Sequence, residues 1–171
     1  AVRRFGRSAP LGLIAAVFLV AMGLVAIFAP QLAPYSPLET DYLATQAPPS
    51  PDHLLGTDHL GRDVLSRIIY GTRVTLMVSI ASVGLGASLG MLWGVASGYL
   101  GQRVDMVSQR LVEVLMSFPT LILAMLLMVS LGAGLSTVVI AIGISQVPLA
   151  TRITRSVVLA TKETSYVEAA R

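Results

Sequence analysis

The residues of this chain that could do chemistry are two histidines, a single lysine and a few polar groups inside long apolar runs. His53 and His59 could ligate a metal, but they lie six positions apart across a turn, and no third ligand stands at zinc-like spacing. Lys162 could meet phosphate, yet a phosphate-cradling loop needs G-x-x-x-x-G-K-[ST], and Lys162 is preceded by Thr161 and followed by Glu163. Cysteine is absent, which excludes disulfides and thiolate metal sites. No serine, histidine and carboxylate are spaced as a nucleophile with its base. The expectation is a chain with no catalytic, cofactor-binding or metal-binding residues, and not an enzyme.

The apolar runs carry no Asp, Glu, Lys, Arg or His in their interiors. Proton-driven transporters usually place a carboxylate or histidine there, and voltage sensors place arginines. Either the chain is passive or its energy comes from a partner. Gln146 is the most polar side chain within any run, with Ser145 beside it. It needs an interhelical hydrogen bond or a water-filled cavity, so both residues are candidates for a translocation path.

The last polar stretch, Leu149 to Arg171, carries a different pattern. Leu149, Ile153 and Val157 recur at helical spacing, with Arg152, Arg155 and Ser156 off the stripe. Thr161 to Ser165 breaks it, and Ser165 followed by Glu168 matches S-x-x-E, a helix start in which hydroxyl and carboxylate satisfy first-turn N–H groups. A second helix is therefore expected from Tyr166. Its Ala169-Ala170 pair would allow close approach to another surface. A helix lying on the membrane and a helix docking on a partner both fit.

These elements are positioned by an all-α, polytopic transmembrane bundle. Hydrophobic residues make up 54% of the 171 positions, charged residues 12%, and the mean hydropathy is +0.77, too apolar for a soluble domain of this size. The chain begins without Met and ends inside an expected helix, so a fragment is expected. Arg3, Arg4 and Arg7 precede an uncharged run from Leu11 to Ala29, long enough at about 1.5 Å per residue to approach the ~30 Å hydrocarbon core. A cleaved signal peptide has a similar signature, but Pro30 directly after Ala29 makes a poor cleavage context. Residues 1–29 thus form the N-terminus and first span.

Residues 30–73 form a hydrophilic loop, opened by Pro30, Pro34 and Pro37 and continued by Pro48, Pro49 and Pro51. Gly56 and Gly61 suit tight turns. A short amphipathic helix is expected from Asp63, with Val64, Leu65, Ile68 and Ile69 on its apolar face and an Asp63–Arg67 pair. Residues 74–150 form the three-span core. The first of these, Val74 to Val95, carries Ser82, Gly86, Gly90, Gly94 and Gly98, a small residue at every fourth position and hence a groove for helix packing. Gly98 to Arg110 reads as a short connection, Val114 to Leu131 as a span bent at Pro119, and Thr137 to Ala150 as a short last span. Residues 151–171 follow as a polar segment.

The loop 30–73 holds five of the nine acidic residues and three of the twelve basic ones, leaving nine basic residues for the termini and connections. The positive-inside rule then places the N-terminus, the 98–110 connection and residues 151–171 in the cytoplasm, and the loop outside. Membrane lipid, not nucleic acid, explains the basic residues.

The run HLLGTDHLGRDVLSRIIYGTRVTL, from His53, resembles the signature before the second span in the dipeptide/oligopeptide/nickel branch of ABC importer permeases. Tyr166-Val167-Glu168-Ala169-Ala170-Arg171 is similar to the opening of that family's EAA loop, whose later glycine and proline lie past the end of this chain. The resemblance implies a permease of the bacterial or archaeal plasma (inner) membrane with six spans in full length, about four of them here. It implies partners as well: a second permease subunit, two ATPase subunits that bind the ATP, and an extracytoplasmic substrate-binding protein. Tyr166, Glu168, Ala169, Ala170 and Arg171 would then belong to the coupling helix that docks on the ATPase. Peptides, nickel or another small solute would be moved by alternating access. The alternative is a helix-packing membrane scaffold or channel that is not coupled to ATP.

Overall fold

A computed structural model describes residues 10–164 as helices joined by short turns and one long loop. The helices are α1 (Pro10–Ile27), α2 (Ala29–Leu32), α3 (Val64–Leu100), α4 (Gln102–Ser117), α5 (Thr120–Leu131) and α6 (Leu135–Lys162). Two compact units divide the chain, one through Met77 and the other from Val78 onward. This is a polytopic helical membrane architecture. α3 and α6 are long and apolar enough to cross a membrane, α4 and α5 make a third crossing if the bent pair counts as one broken span, and the run Leu11–Ile27 is a shorter apolar helix.

The element boundaries differ from the sequence expectations in four places. No break separates a short amphipathic helix from the span after it, because α3 runs unbroken for 37 residues. The lone Gly71 costs a helix about 1 kcal/mol, and no proline follows it to interrupt the backbone bonds. The expected connection Gly98 to Arg110 shrinks to Gly101. There the chain reverses through positive φ at Gly101 (+62°) and Gln102 (+44°), and α4 begins at once.

At Pro119 the structure has a full break in place of a bent helix. α4 ends at Ser117, and the axis of α5 departs at 90°. Phe118 is extended (φ −86°, ψ 134°), as steric conflict with the following proline ring requires. The short last span, finally, does not stop at Ala150. α6 continues to Lys162 with Pro148 inside it, and the stripe Leu149, Ile153, Val157 is exposed along it while Val147 and Thr151 are buried. The helix ends where the sequence pattern ends, with the Thr164 N–H donating to the Thr161 carbonyl at 3.1 Å.

Within the second unit, α6 packs against both α5 and α4. Val112, Ala141, Val147 and Thr151 are buried, and most large apolar side chains face outward, as expected where lipid is the solvent.

Candidate functional site

In the first unit, the loop before α3 folds into a compact structure around Asp63. This residue caps α3: its Oδ2 accepts the Ser66 N–H at 2.7 Å, and its Oδ1 lies 3.0 Å from His53 Nδ1. Ser66 is fully buried, and its hydroxyl accepts the Tyr35 N–H at 3.1 Å. The Tyr35 ring stands 5.0 Å from the His53 ring, centroid to centroid, and the Tyr35 hydroxyl donates to the Asp52 carbonyl at 2.9 Å. The Thr57 hydroxyl accepts the Ala47 N–H at 2.9 Å and donates to the Ala44 carbonyl. Gly56 and Gly61 both adopt positive φ, +73° and +74°. At Gly61 a Cβ would lie 1.9 Å from the Asp41 carbonyl oxygen, so only glycine fits.

The expected Asp63–Arg67 pair does not form. Arg67 pairs with Asp58, which also accepts the Arg62 guanidinium at 2.8 Å. Capping α3 and meeting His53 occupy both oxygens of Asp63. Burial opposes ionisation of Asp58, but the Arg62 and Leu60 N–H groups and the Arg62 guanidinium outweigh it and hold the carboxyl well below the usual carboxylate range. Burial likewise opposes ionisation of Asp63, and bonds from Ser66 and His53 win, so its pKa is lowered. A cleft of about 590 Å³ opens beside these groups, lined by Tyr35, Glu39, Asp41, Asp52, His53 and Asp63 among others. His59 is apart from this cleft lining.

In the second unit, the small residues of α3 face α6. A Cβ on Gly86 would lie 2.5 Å from the Gly143 carbonyl oxygen, and one on Gly90 2.4 Å from the Ala150 Cβ. At Gly94 the clash would be with the Thr151 carbonyl oxygen at 2.6 Å, and at Gly98 with Val158 at 2.9 Å. Ser82 is buried, and its hydroxyl has no hydrogen-bond partner. Gln146 lies beside this contact, its Cβ 3.0 Å from the position a Cβ on Gly86 would take. On its other side is a small pocket of about 150 Å³, lined by residues of the α4–α5 break (Leu115, Met116, Phe118, Thr120) and by Ser145, Gln146, Pro148 and Leu149. Ser145 is satisfied within its own helix, donating to the Ala141 carbonyl at 2.7 Å. Tyr166, Glu168, Ala169, Ala170 and Arg171 lie outside the described residues.

One cluster has no counterpart in the sequence reading. Asp105 accepts both arms of the Arg155 guanidinium, Nε and Nη2, at 2.5 Å each, and the Ser97 hydroxyl at 2.6 Å. Fifty positions separate the acid from the base. The spacing rules for helix pairs reach three or four residues, so no local pattern marks this one.

Residues 86–171 match the family described as the binding-protein-dependent transport system inner membrane component, and residues 1–49 match the N-terminal TM domain of oligopeptide transport permease C. The chain belongs to this inner membrane component family. The part matched takes in the last 15 residues of α3 (86–100) and all that follows it. Among curated proteins, this inner membrane component is 38% identical over 171 residues to the oligopeptide transport system permease protein of Bacillus subtilis (strain 168), covering 100% of this chain and 56% of that protein. It is 36% identical over 165 residues to the probable D,D-dipeptide transport system permease protein of Escherichia coli (strain K12), covering 96% and 55%. With the nickel transport system permease protein of the same strain it shares 36% identity over 158 residues, covering 92% and 57%. The chain thus spans about half the length of the curated relatives it matches. Those relatives are named as transport permeases, in keeping with the expectation of an ABC permease.

Proposed function

We propose that this chain is part of the transmembrane permease subunit of an ATP-driven importer that carries peptides, or nickel or a related small solute, into the cell. The observation that carries the reading is the family match over residues 86–171, which joins the glycine-lined contact of α3 and α6 to Tyr166–Arg171 in one module. The protein supplies no ATP site of its own. ATP is bound by two ATPase subunits, a second permease completes the path, and an extracytoplasmic binding protein delivers substrate. Tyr166, Glu168, Ala169, Ala170 and Arg171 dock on an ATPase subunit, and closure of the ATPases rocks the permease pair between inward- and outward-open states. Gln146, beside the α4–α5 break, lies on the translocation path. The loop 30–73 faces outward, toward the binding protein.

The test is reconstitution of the full-length protein with its partner subunits and binding protein in proteoliposomes. ATP-dependent accumulation of a peptide or of nickel supports the reading. Passive flux unaffected by ATP, with no ATPase subunit retained on purification, replaces it with the channel or scaffold reading.

A further inference from the structure

The contact between α3 and α6 is built from two parts with different mechanical properties. Small residues at Gly86, Gly90, Gly94 and Gly98 let the backbones touch, and Gly94 and Gly98 receive Thr151 to Val158 of α6. A groove of this kind fixes the distance between two helices. It does little to fix their register, because its floor is smooth along the axis.

Register is supplied by the polar cluster at the C-terminal end of α3. Asp105 grips Arg155 through a two-pronged fork at 2.5 Å and 2.5 Å, and Ser97 of α3 donates to the same carboxylate at 2.6 Å. A fork of this geometry is directional, unlike a single point charge. Ser97 is fully buried, and Asp105 and Arg155 keep only 17% and 27% of their side-chain surface. Trp93 Nε1 donates to the Ser108 hydroxyl at 3.1 Å, and Gln109 Nε2 lies 3.4 Å from Ser97, so α3 and α4 are joined at the same level. One turn beyond Val158, Lys162 Nζ donates to the Tyr99 carbonyl at 3.0 Å, satisfying an acceptor in the last turn of α3.

We propose that Asp105 and Arg155 are positioning residues for energy coupling: with Ser97 they lock the C-terminal half of α6 to α3 and α4 in one register. A push on the segment after Thr164 then moves three helices together, where otherwise α6 would slide in its groove. This rests on the permease reading and adds to it the element that carries the force. Deleting one partner leaves a half-buried charge without its counter-charge, so neither side chain can be replaced without loosening the mount.

The experiment uses the full-length transporter with its ATPase subunits in proteoliposomes and reads two quantities, ATP hydrolysed and substrate accumulated. The variants are Asp105→Asn, Arg155→Lys and the exchange Asp105→Arg with Arg155→Asp. The expected result is that Asp105→Asn still inserts and binds the ATPases but moves about five- to tenfold less substrate per ATP, the size of an ordinary coupling term. Arg155→Lys, which keeps the charge and loses the fork, should fall between it and wild type. The exchanged pair should recover most of the ratio. A ratio unchanged in Asp105→Asn overturns the proposal, and so does an exchanged pair no better than the single variants in insertion or coupling. Failure of the wild type to couple transport to ATP sinks the underlying permease reading, a separate result from either.

Discussion

His53 and Asp63 meet at 3.0 Å in the loop before α3, with the second carboxylate oxygen of Asp63 bonded to the Ser66 N–H at 2.7 Å. One side chain therefore both starts the helix and fastens the loop to it. Because the Asp63 pKa is lowered on folding, its contribution to stability is present above the ordinary value of 3.8 and is lost as pH falls below that value. Asp58 acts in the same direction. Limited proteolysis of the loop in detergent should show protection from neutral pH down to about 4 and cleavage rising below it. Asp63→Ala should weaken protection at neutral pH, through loss of an N-cap worth about 1 kcal/mol. Protection that does not change with acid would contradict the assignment.

Two glycines on α3 make a matched pair. A Cβ at Gly90 would press within 2.4 Å of the Ala150 Cβ and 2.8 Å of the Val147 carbonyl oxygen, whereas Gly84 has no atom within 4 Å of that position. Gly90→Ala should destabilise the second unit by about 1–3 kcal/mol through overpacking. Gly84→Ala should be neutral or slightly stabilising, as a Gly→Ala change in an open helix position is. Thermal unfolding of the two variants in the same detergent gives the comparison, and equal midpoints would mean that the Gly90 face is free.

Membrane orientation can be read with thiol probes, since the 171 residues contain no cysteine. Leu43 is 99% exposed in the loop, and Arg103 is exposed at the start of α4. Leu43→Cys should react with an impermeant reagent in intact cells, and Arg103→Cys should react only after permeabilisation. The reverse pattern would invert the proposed topology and place Tyr166–Arg171 on the side without ATP.

Ala169→Arg in the full-length protein should abolish ATPase binding and uptake while leaving insertion unchanged. A small side chain is needed where a helix enters a partner's groove, and a large charged one costs on the order of several kcal/mol when desolvated there. Undiminished ATP-dependent uptake would remove this segment from the mechanism.

Apolar run length and hydropathy sufficed to identify an all-helical membrane chain, and the every-fourth spacing of Gly86 to Gly98 located the face of α3 that meets α6. Helix ends were harder. Val74 and Ala150 were expected as boundaries, yet the helical backbone passes through both, because once a helix is formed each further turn adds its own hydrogen bonds. Positive φ at Gly101 and Gln102 is what ends α3, and Gln102 carries no sign of that in its type. Asp63 was paired with Arg67 on i, i+4 spacing alone, when the fold of the preceding loop gave Asp58 to Arg67 and His53 to Asp63. Asp105–Arg155 was out of reach of any local pattern.

The right-angle break at Phe118–Pro119 has a consequence for where water can go. α5 is 12 residues, about 18 Å from the break to the Gly132–Gly134 turn, and Gln146 lies a comparable distance from that turn along α6. Break and glutamine therefore line one small pocket together. Of the last carbonyls of α4, Leu115 accepts the Phe118 N–H at 3.4 Å, Pro119 has no N–H to offer, and Pro148 leaves the Ile144 carbonyl without its helical donor. Oil cannot solvate such oxygens. A bilayer tolerates unbonded backbone only where protein or a hydrated channel covers it, so these oxygens call for cover by protein or water and not by lipid tails.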